Sequence, residues 1–83
     1  MALHHLVFSP GASKTIQALR PPLRERVERA LQRIAADPTT GKSLKGPLQG
    51  RRSYRVGDWR IIYLVQEDTV YVETLDHRGR VYR

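Results

Sequence analysis

The 83-residue chain has no cysteine, no long apolar run and few acidic side chains. Without cysteine it can form no disulfide framework, thiolate nucleophile or cysteine-based zinc site. No apolar run is long enough to span a bilayer, and the N-terminus lacks the basic-then-apolar pattern of a signal peptide. We therefore expect a cytoplasmic protein with no membrane partner.

The sequence also lacks the common catalytic patterns. It contains no Ser/His/Asp arrangement, no glutamate pair of the glycosidase kind, no glycine-rich phosphate loop and no metal-ligand spacing. His4 and His5 are adjacent, so on a strand they point to opposite faces and cannot easily share a metal ion. We therefore predict neither a metal site nor a cofactor.

What the chain does have is positive charge. Eight acidic residues stand against fifteen basic ones, which gives a formal net charge of +7. This balance indicates a polyanionic partner, either nucleic acid or an acidic protein. Arginine dominates over lysine, which favours phosphate and base contacts or buried ion pairs over mere solubility.

The length predicts a single domain over residues 1–83. Leu3 to Phe8 is a short apolar stretch typical of a strand. Ser9 as N-cap and Pro10 at the first helical position then predict a short helix. That helix stops at the proline pair at positions 21 and 22.

A second helix is predicted over residues 22 to 36. Its apolar side chains recur at the spacing of a core-facing stripe. They are Leu23, Val27, Ala30, Leu31 and Ile34. The two helices form a predicted helical hairpin, and the composition of residues 38 to 50, rich in Gly, Pro, Thr, Ser and Lys, predicts a loop.

The most informative run is 51–63, which predicts two strands joined by a two-residue turn at Gly57 and Asp58. In this register Arg55 faces Arg60 on one side of the sheet. Two arginines directly opposite each other cost a few tenths to about 1 kcal/mol. An anion bound between the two guanidinium groups would make this pairing favourable. The alternatives are that an acid such as Glu73 neutralises them, or that the turn differs by one residue.

Two further strands are predicted over residues 59–66 and 69–76, with a turn at Glu67 and Asp68. Strand alternation divides their side chains between two faces. The predicted core face holds Val56, Trp59, Ile61, Tyr63, Val65, Val70 and Val72. The predicted open face holds Arg55, Arg60, Ile62, Leu64, Tyr71, Glu73, Leu75 and His77. Arg55, Arg60 and His77 would gather at one end of the open face.

Basic residues precede and follow this hairpin. From residue 38 to residue 57 there is no acidic side chain, and the cations there are Lys42, Lys45, Arg51, Arg52 and Arg55. These cations either form a continuous surface that binds a phosphate backbone or belong to a solvated loop. The chain then ends on His77, Arg78, Arg80, Tyr82 and Arg83. This tail either closes the anion site or is a frayed terminus.

An arginine cluster with one histidine and a tyrosine suits phosphodiester cleavage, because arginine stabilises negative charge that develops on phosphoryl oxygens. With RNA, the neighbouring 2′-hydroxyl can attack, so no metal or cofactor is needed. Tyr82 or His77 could act as general base or acid. For His77 the alternative is a structural histidine at a strand end.

At these residues the chain resembles the RelE branch of the RelE/ParE toxin superfamily over nearly its full length. The resemblance is carried by residues 42–46, by the motif 54–63 and by residues 77–82. It implies an α+β fold: an N-terminal strand, a helical hairpin, and a small antiparallel sheet of three to four strands packed on the helices.

The resemblance further implies a ribosome-dependent mRNA endonuclease toxin that a co-expressed antitoxin holds inactive. Catalysis in such toxins resides in basic residues on the open sheet face and a C-terminal tyrosine. Matched residue by residue, these are Arg55, Arg60, Arg78 and Tyr82, with His77 as a further candidate. The remaining cations are predicted to contact RNA or the ribosome: Lys42, Lys45, Arg51, Arg52, Arg80 and Arg83. The toxin–antitoxin complex would bind operator DNA through the antitoxin.

The chain departs from this family pattern in three places. Ser53 stands where the best-known members carry a second strand lysine. A helical glutamate serves some relatives as base, but nothing singles out Glu25 or Glu28. The C-terminus lacks the extra helix of some members. The alternatives are a ParE-like inhibitor of DNA gyrase, or an inactive toxin that acts with its antitoxin as a repressor complex.

Overall fold

A computed structural model of the chain describes residues 3–77, which form two α-helices and five β-strands. In chain order these are β1 (His5–Phe8), α1 (Pro10–Ala18), α2 (Leu23–Ala36), β2 (Lys42–Ser43), β3 (Arg52–Val56), β4 (Trp59–Gln66) and β5 (Thr69–His77). Short 3₁₀ turns at Pro38–Thr40 and Gly46–Leu48 flank β2. Neither helix within 3–77 has the length and apolarity needed to cross a membrane.

The strands form one mixed sheet in the order β1-β5-β4-β3-β2. β1 pairs parallel with β5, and the other neighbours are antiparallel. The predicted α+β class is confirmed, but the sheet described within residues 3–77 has five strands instead of three to four and is mixed instead of antiparallel. The difference arises because β1 joins the edge of the sheet and because the predicted loop contains β2, which pairs with Arg52 and Ser53. A two-residue strand is too short to have a periodic signal.

Ser9 links the first helix to the sheet. Its hydroxyl oxygen accepts a hydrogen bond from the Ala12 N–H at 3.0 Å, which is the predicted N-cap. The same hydroxyl donates to the Glu73 carbonyl at 2.7 Å. The start of α1 is therefore fixed against β5.

The apolar stripe of α2 packs on the sheet as predicted. Val27 and Ile34 are completely buried, and Ile61, Tyr63 and Val70 lie opposite them in the same core cluster. The helix is amphipathic, so its charged side chains lie outside this contact. Burial of this stripe holds α2 on the sheet, and Ala12 of α1 is buried in the same cluster, so both helices lie on one face and leave the other uncovered.

Tyr63 ties β4 to the segment that precedes β2. The ring is completely buried, its hydroxyl donates to the Pro38 carbonyl at 2.6 Å, and the Gly41 N–H donates to it at 3.0 Å. Burial raises the pKa of Tyr63 above its ordinary value, because the phenolate is poorly solvated there. The Pro38 carbonyl and the Gly41 N–H thus both have a hydrogen-bond partner inside the core.

Asp37 shapes the same turn from its exposed side. Its carboxylate accepts hydrogen bonds from the Thr39 hydroxyl at 2.6 Å and the Thr39 N–H at 3.1 Å. These bonds stabilise the charged form and lower the pKa of Asp37. The turn directs the chain toward β2.

A β-bulge changes the predicted faces of β5. Tyr63 pairs with Val72 and Ile62 pairs with Thr74, so Glu73 has no partner on β4. Beyond it every side chain changes face. Leu75 is buried in the core and His77 lies opposite Trp59, so the prediction that both lie on the open face was wrong. Alternation alone could not reveal the extra residue.

Candidate functional site

The hairpin that joins β3 and β4 has the predicted register. Val56 pairs with Trp59 and Arg55 pairs with Arg60, across a turn in which Gly57 has a φ of +59°. Glycine accepts this positive φ without strain, and its place at the first turn position suits a two-residue hairpin. The two arginines therefore face each other on one side of the sheet, as expected.

A third cation joins them on the open face. Lys42 on β2 is paired with Ser53, which shares a face with Arg55 because the two are separated by one residue. Lys42, Arg55 and Arg60 together line an open cleft of about 530 Å³. The strand pairing thus places three cations at a surface that the helices leave uncovered.

An acid lies beside this cluster. Asp76 is the residue opposite Arg60 in the β4–β5 ladder, an adjacency in which opposite charges attract. Arg55 is exposed and donates through Nε to the Gly57 carbonyl at 3.2 Å. The acid beside the arginine pair is therefore Asp76, which the bulge turns to the open face, and not Glu73, which was one of the alternatives.

Glu73 has a different basic partner. Its carboxylate forms a two-pronged salt bridge with Arg51, through Arg51 Nε to Oε1 and through Nη2 to Oε2 at 3.2 Å. The hydrogen bond to Glu73 raises the pKa of Arg51 above its ordinary value. The pair is half-buried and links the entry of β3 to the bulge. Arg51 thus has a structural partner, and it is not among the residues that line the cleft.

The remaining predicted cations are dispersed. Arg52 lies on the other face of β3, where its Nη1 donates to the Gly41 carbonyl at 2.7 Å. Lys45 is exposed at the start of a 3₁₀ turn. The predictions for Arg78, Arg80, Tyr82 and Arg83 lie outside the described residues. The structure therefore brings together Lys42, Arg55 and Arg60, whereas Lys45, Arg51 and Arg52 are not among the residues that line their cleft.

His77 does not join the arginines. Its ring lies 5.1 Å, centroid to centroid, from Trp59, on the side of the sheet that faces away from Arg55 and Arg60. The predicted gathering of these three residues was wrong, because the bulge at Glu73 moves His77 to the opposite face. Its contact with an aromatic ring fits the structural role that was the alternative in the sequence.

The arrangement can bind an anion and stabilise charge that develops on it. Arginine and lysine do so without gaining or losing a proton near neutrality. Within residues 3–77 no group of three or more His, Asp or Glu side chains lies close enough together to hold a metal ion. The described cluster supplies electrostatic stabilisation, and a proton carrier must come from another residue.

Two features of this region were missed in the sequence. The position of Asp76 opposite Arg60 was not predicted, and no signal in the pattern marks the bulge that puts it there. Three arginines of α2 line a second groove beside Arg55. Their recurrence at positions 26, 29 and 33 shows that they share a helix face, but only the packing shows that this face borders the hairpin.

Known proteins share this fold. A chain of the RelBE2 toxin–antitoxin complex of Mycobacterium tuberculosis is 29% identical, with 95% of each chain covered and a TM-score of 0.80. A chain of the archaeal RelE–RelB complex of Pyrococcus horikoshii is 22% identical, with a TM-score of 0.78 over 94% of this chain and 98% of that one. A chain of the YoeB–YefM complex of Staphylococcus aureus is 20% identical, with a TM-score of 0.77 over 92% and 98%.

The family comparison covers almost the whole chain. No curated protein sequence matches it significantly. The sequence model of the family described as the ParE toxin of the type II toxin–antitoxin system parDE matches residues 6–82. The fold shared with chains of RelE and YoeB complexes and the match to the family model both indicate the RelE/ParE superfamily. The chain therefore belongs to the ParE toxin family, within the RelE/ParE superfamily of type II toxin–antitoxin toxins.

Proposed function

We propose that the protein is a ribosome-dependent mRNA endonuclease. The observation that carries this proposal is the pairing of Arg55 with Arg60 beside Lys42 on an uncovered sheet face. Like charges placed directly opposite each other weaken a sheet. Asp76, opposite Arg60, offsets part of this repulsion. Arg55 and Lys42 line the same accessible cleft, where a phosphate ligand would neutralise them.

In the proposed reaction the 2′-hydroxyl of a nucleotide attacks the adjacent phosphorus. A bond forms between the 2′-oxygen and phosphorus while the bond to the 5′-oxygen breaks, which leaves a cyclic phosphate and a 5′-hydroxyl. The proton of the 2′-hydroxyl passes to a base, and the leaving oxygen gains a proton. Negative charge builds on the phosphoryl oxygens, where fixed cations lower the barrier.

The described residues have distinct roles in this proposal. Arg60, half-buried and flanked by Asp76, is the residue that stabilises the transition state. Arg55, exposed at the edge of the cleft, positions the substrate phosphate, and Lys42 binds a neighbouring one. By resemblance, Arg78 adds a further cation and Tyr82 carries the proton.

A cognate antitoxin is the proposed protein partner, because the matched structures are toxin–antitoxin complexes. The far end of the open face offers it an apolar surface. Val7, Tyr71 and Leu64 are paired in a row across β1, β5 and β4, and Val7 is 46% exposed. Such a row can bind an amphipathic segment. The complex would bind operator DNA through the antitoxin.

Primer extension on an mRNA translated by ribosomes tests the nuclease. We expect ribosome-dependent cuts from the wild type and a cleavage rate about 10²- to 10³-fold lower for Arg60→Ala, the usual cost of losing one group that stabilises the transition state. Arg24→Ala is the matched control, because Arg24 lies on α2 and pairs with Glu28 at 3.5 Å. Thermal unfolding of each variant confirms that it is folded. Cleavage by Arg60→Ala at the wild-type rate would refute the proposed site.

Inhibition of DNA gyrase is the second candidate. It is favoured by the family match to ParE toxins. A gyrase inhibitor needs no catalytic group, so a supercoiling assay separates the two functions. A folded wild type that cuts no mRNA on ribosomes but stops supercoiling would establish this candidate instead. A folded chain with neither activity would point to the inactive, repressor-forming toxin.

A further inference from the structure

A second groove, distinct from the cleft, lies between α2 and the β3–β4 turn. It has a volume of about 360 Å³ and is lined by the arginines at positions 26, 29, 33 and 55 together with Gly57. No acidic residue is among the side chains that line it in the described part of the chain. It is therefore a concave surface with the charge of four guanidinium groups.

Gly57 is the point at which the helix and the strand arginines converge. A Cβ atom at this residue would lie 3.6 Å from both terminal nitrogens of Arg26, so that guanidinium packs over the turn. Arg55 Nε donates to the carbonyl of the same glycine. The two cations thus approach one backbone unit from different elements, a proximity that repulsion between them opposes.

The helix arginines of the groove have no acidic partner within salt-bridge distance among residues 3–77. Arg24, on another side of α2, does have one, in Glu28. Like charges three and four residues apart destabilise a helix by a few tenths of a kcal/mol per pair. The spacing of Arg29 and Arg33 is thus unfavourable to the helix, an effect that Glu25, four residues before Arg29, offsets in part, whereas Arg24 has a direct acidic partner.

The groove and the cleft are joined around the edge of β3. Both are lined by Tyr54 and Arg55. β2 pairs only with Arg52 and Ser53, and no other strand between residues 3 and 77 covers that side of β3 beyond them. A continuous basic path therefore leads from Lys42 and Arg60, past Arg55, to the arginines of α2.

We propose that the α2 groove binds the phosphate backbone of the single-stranded RNA whose neighbouring segment lies in the cleft. The inference rests on the proposed function for the identity of the ligand. RNA is favoured over an acidic protein segment because a docked peptide needs apolar anchors, and the groove's small apolar side chains, Ala30 and Val56, are buried. The partly exposed ring of Tyr54, which also lines the groove, can stack on a base. The planar arginine fork matches phosphate.

Fluorescence anisotropy with a labelled single-stranded RNA of about 12 nucleotides tests this path, a length within the range bound by single-strand-binding folds. The test variant is Arg29→Gln with Arg33→Gln, since glutamine retains helix propensity. The control is Arg20→Gln with Arg24→Gln, which removes two charges from positions outside the groove. Each lowers the formal net charge from +7 by the same two units. Circular dichroism shows whether both fold.

We expect the slope of log affinity against log salt to become shallower in the test variant. Each phosphate that the protein no longer neutralises should reduce the slope by about 0.7, thus by about 1.4 for the two substitutions. The wild-type advantage over this variant then shrinks about sevenfold when salt rises about fourfold. The control should keep the wild-type slope. A shorter RNA that fills only the cleft should bind wild type and test variant equally.

Other outcomes overturn the inference or separate it from the proposed function. Equal losses in the two variants would show an effect of net charge alone. An unchanged RNA affinity with weaker antitoxin binding would assign the groove to an acidic protein. Binding needs no cleavage, so a wild type that binds RNA with the expected slope but cuts nothing on ribosomes would refute the nuclease and leave the groove standing.

Discussion

The two faces of the β3–β4 hairpin contrast sharply. On the face beneath the helices, Tyr63 is completely buried and both hydrogen bonds of its hydroxyl are made. On the open face, Arg55 stands opposite Arg60 and is exposed. The first face satisfies its buried polar groups, whereas the second sets two cations side by side, with Asp76 opposite Arg60. The comparison indicates that the first face stabilises the fold and that the second serves ligand binding.

The largest effect is expected on the buried face, from Gly41→Ala. The added methyl group would overlap the Tyr63 hydroxyl and lie 2.9 Å from the ring carbon that carries it. Overpacking and the loss of buried hydrogen bonds together should lower the free energy of unfolding by about 3 kcal/mol, measured by urea denaturation. In a Tyr63→Phe background the cost should shrink, since the hydroxyl is gone. An undiminished cost there would contradict the proposed overlap.

Tyr63→Phe alone should have an intermediate effect. It leaves the Pro38 carbonyl and the Gly41 N–H without their partner, which should cost about 1–3 kcal/mol. Denaturation of both proteins at neutral pH measures the difference. A cost near zero would mean that other groups or water satisfy this turn.

The same pair of proteins has a predicted pH dependence. Because the pKa of Tyr63 is raised in the folded state, the unfolded chain loses this proton first as pH increases above about 10. The unfolded state then binds fewer protons than the folded state, so the stability of the wild type falls with rising pH. The Phe variant lacks this component, and the stability gap should narrow above that pH. A constant gap would contradict the assignment.

The smallest effect, with the opposite sign, is expected on the open face. Arg55→Thr removes one of two facing cations and should raise the free energy of unfolding by a few tenths to about 1 kcal/mol. The gain should decrease at high salt, which screens exposed charges, and should vanish in an Arg60→Ala background. A destabilised Arg55→Thr protein would show that this face also contributes to folding.

Local sequence predicted most of the fold. The Ser9–Pro10 helix start, the stripe of α2, and both two-residue turns of the sheet follow from dihedral preferences and side-chain periodicity. These act over a few residues, so they can be inferred from the chain alone. The pairing of Arg55 with Arg60 needed only the turn length, and it was predicted correctly for that reason.

The candidate site was predicted in part for the same reason. Its two arginines are neighbours through one turn, whereas the positions of Asp76 and His77 depend on the bulge at Glu73 in the β4–β5 ladder. The residues at this bulge bind groups distant in sequence, here the Ser9 hydroxyl and the Arg51 guanidinium. No window of neighbouring residues contains that information.

The sequence by itself determined the basic charge, the helices, the hairpins and the resemblance that led to the family. The tertiary structure alone decided that β1 lies beside β5, that Asp76 and not Glu73 flanks the arginines, and that the arginines of α2 border the turn at Gly57. The physical reason is the distance along the sequence over which each effect acts. Propensity and alternation act along the chain, but burial and charge pairing act between segments that only folding brings together.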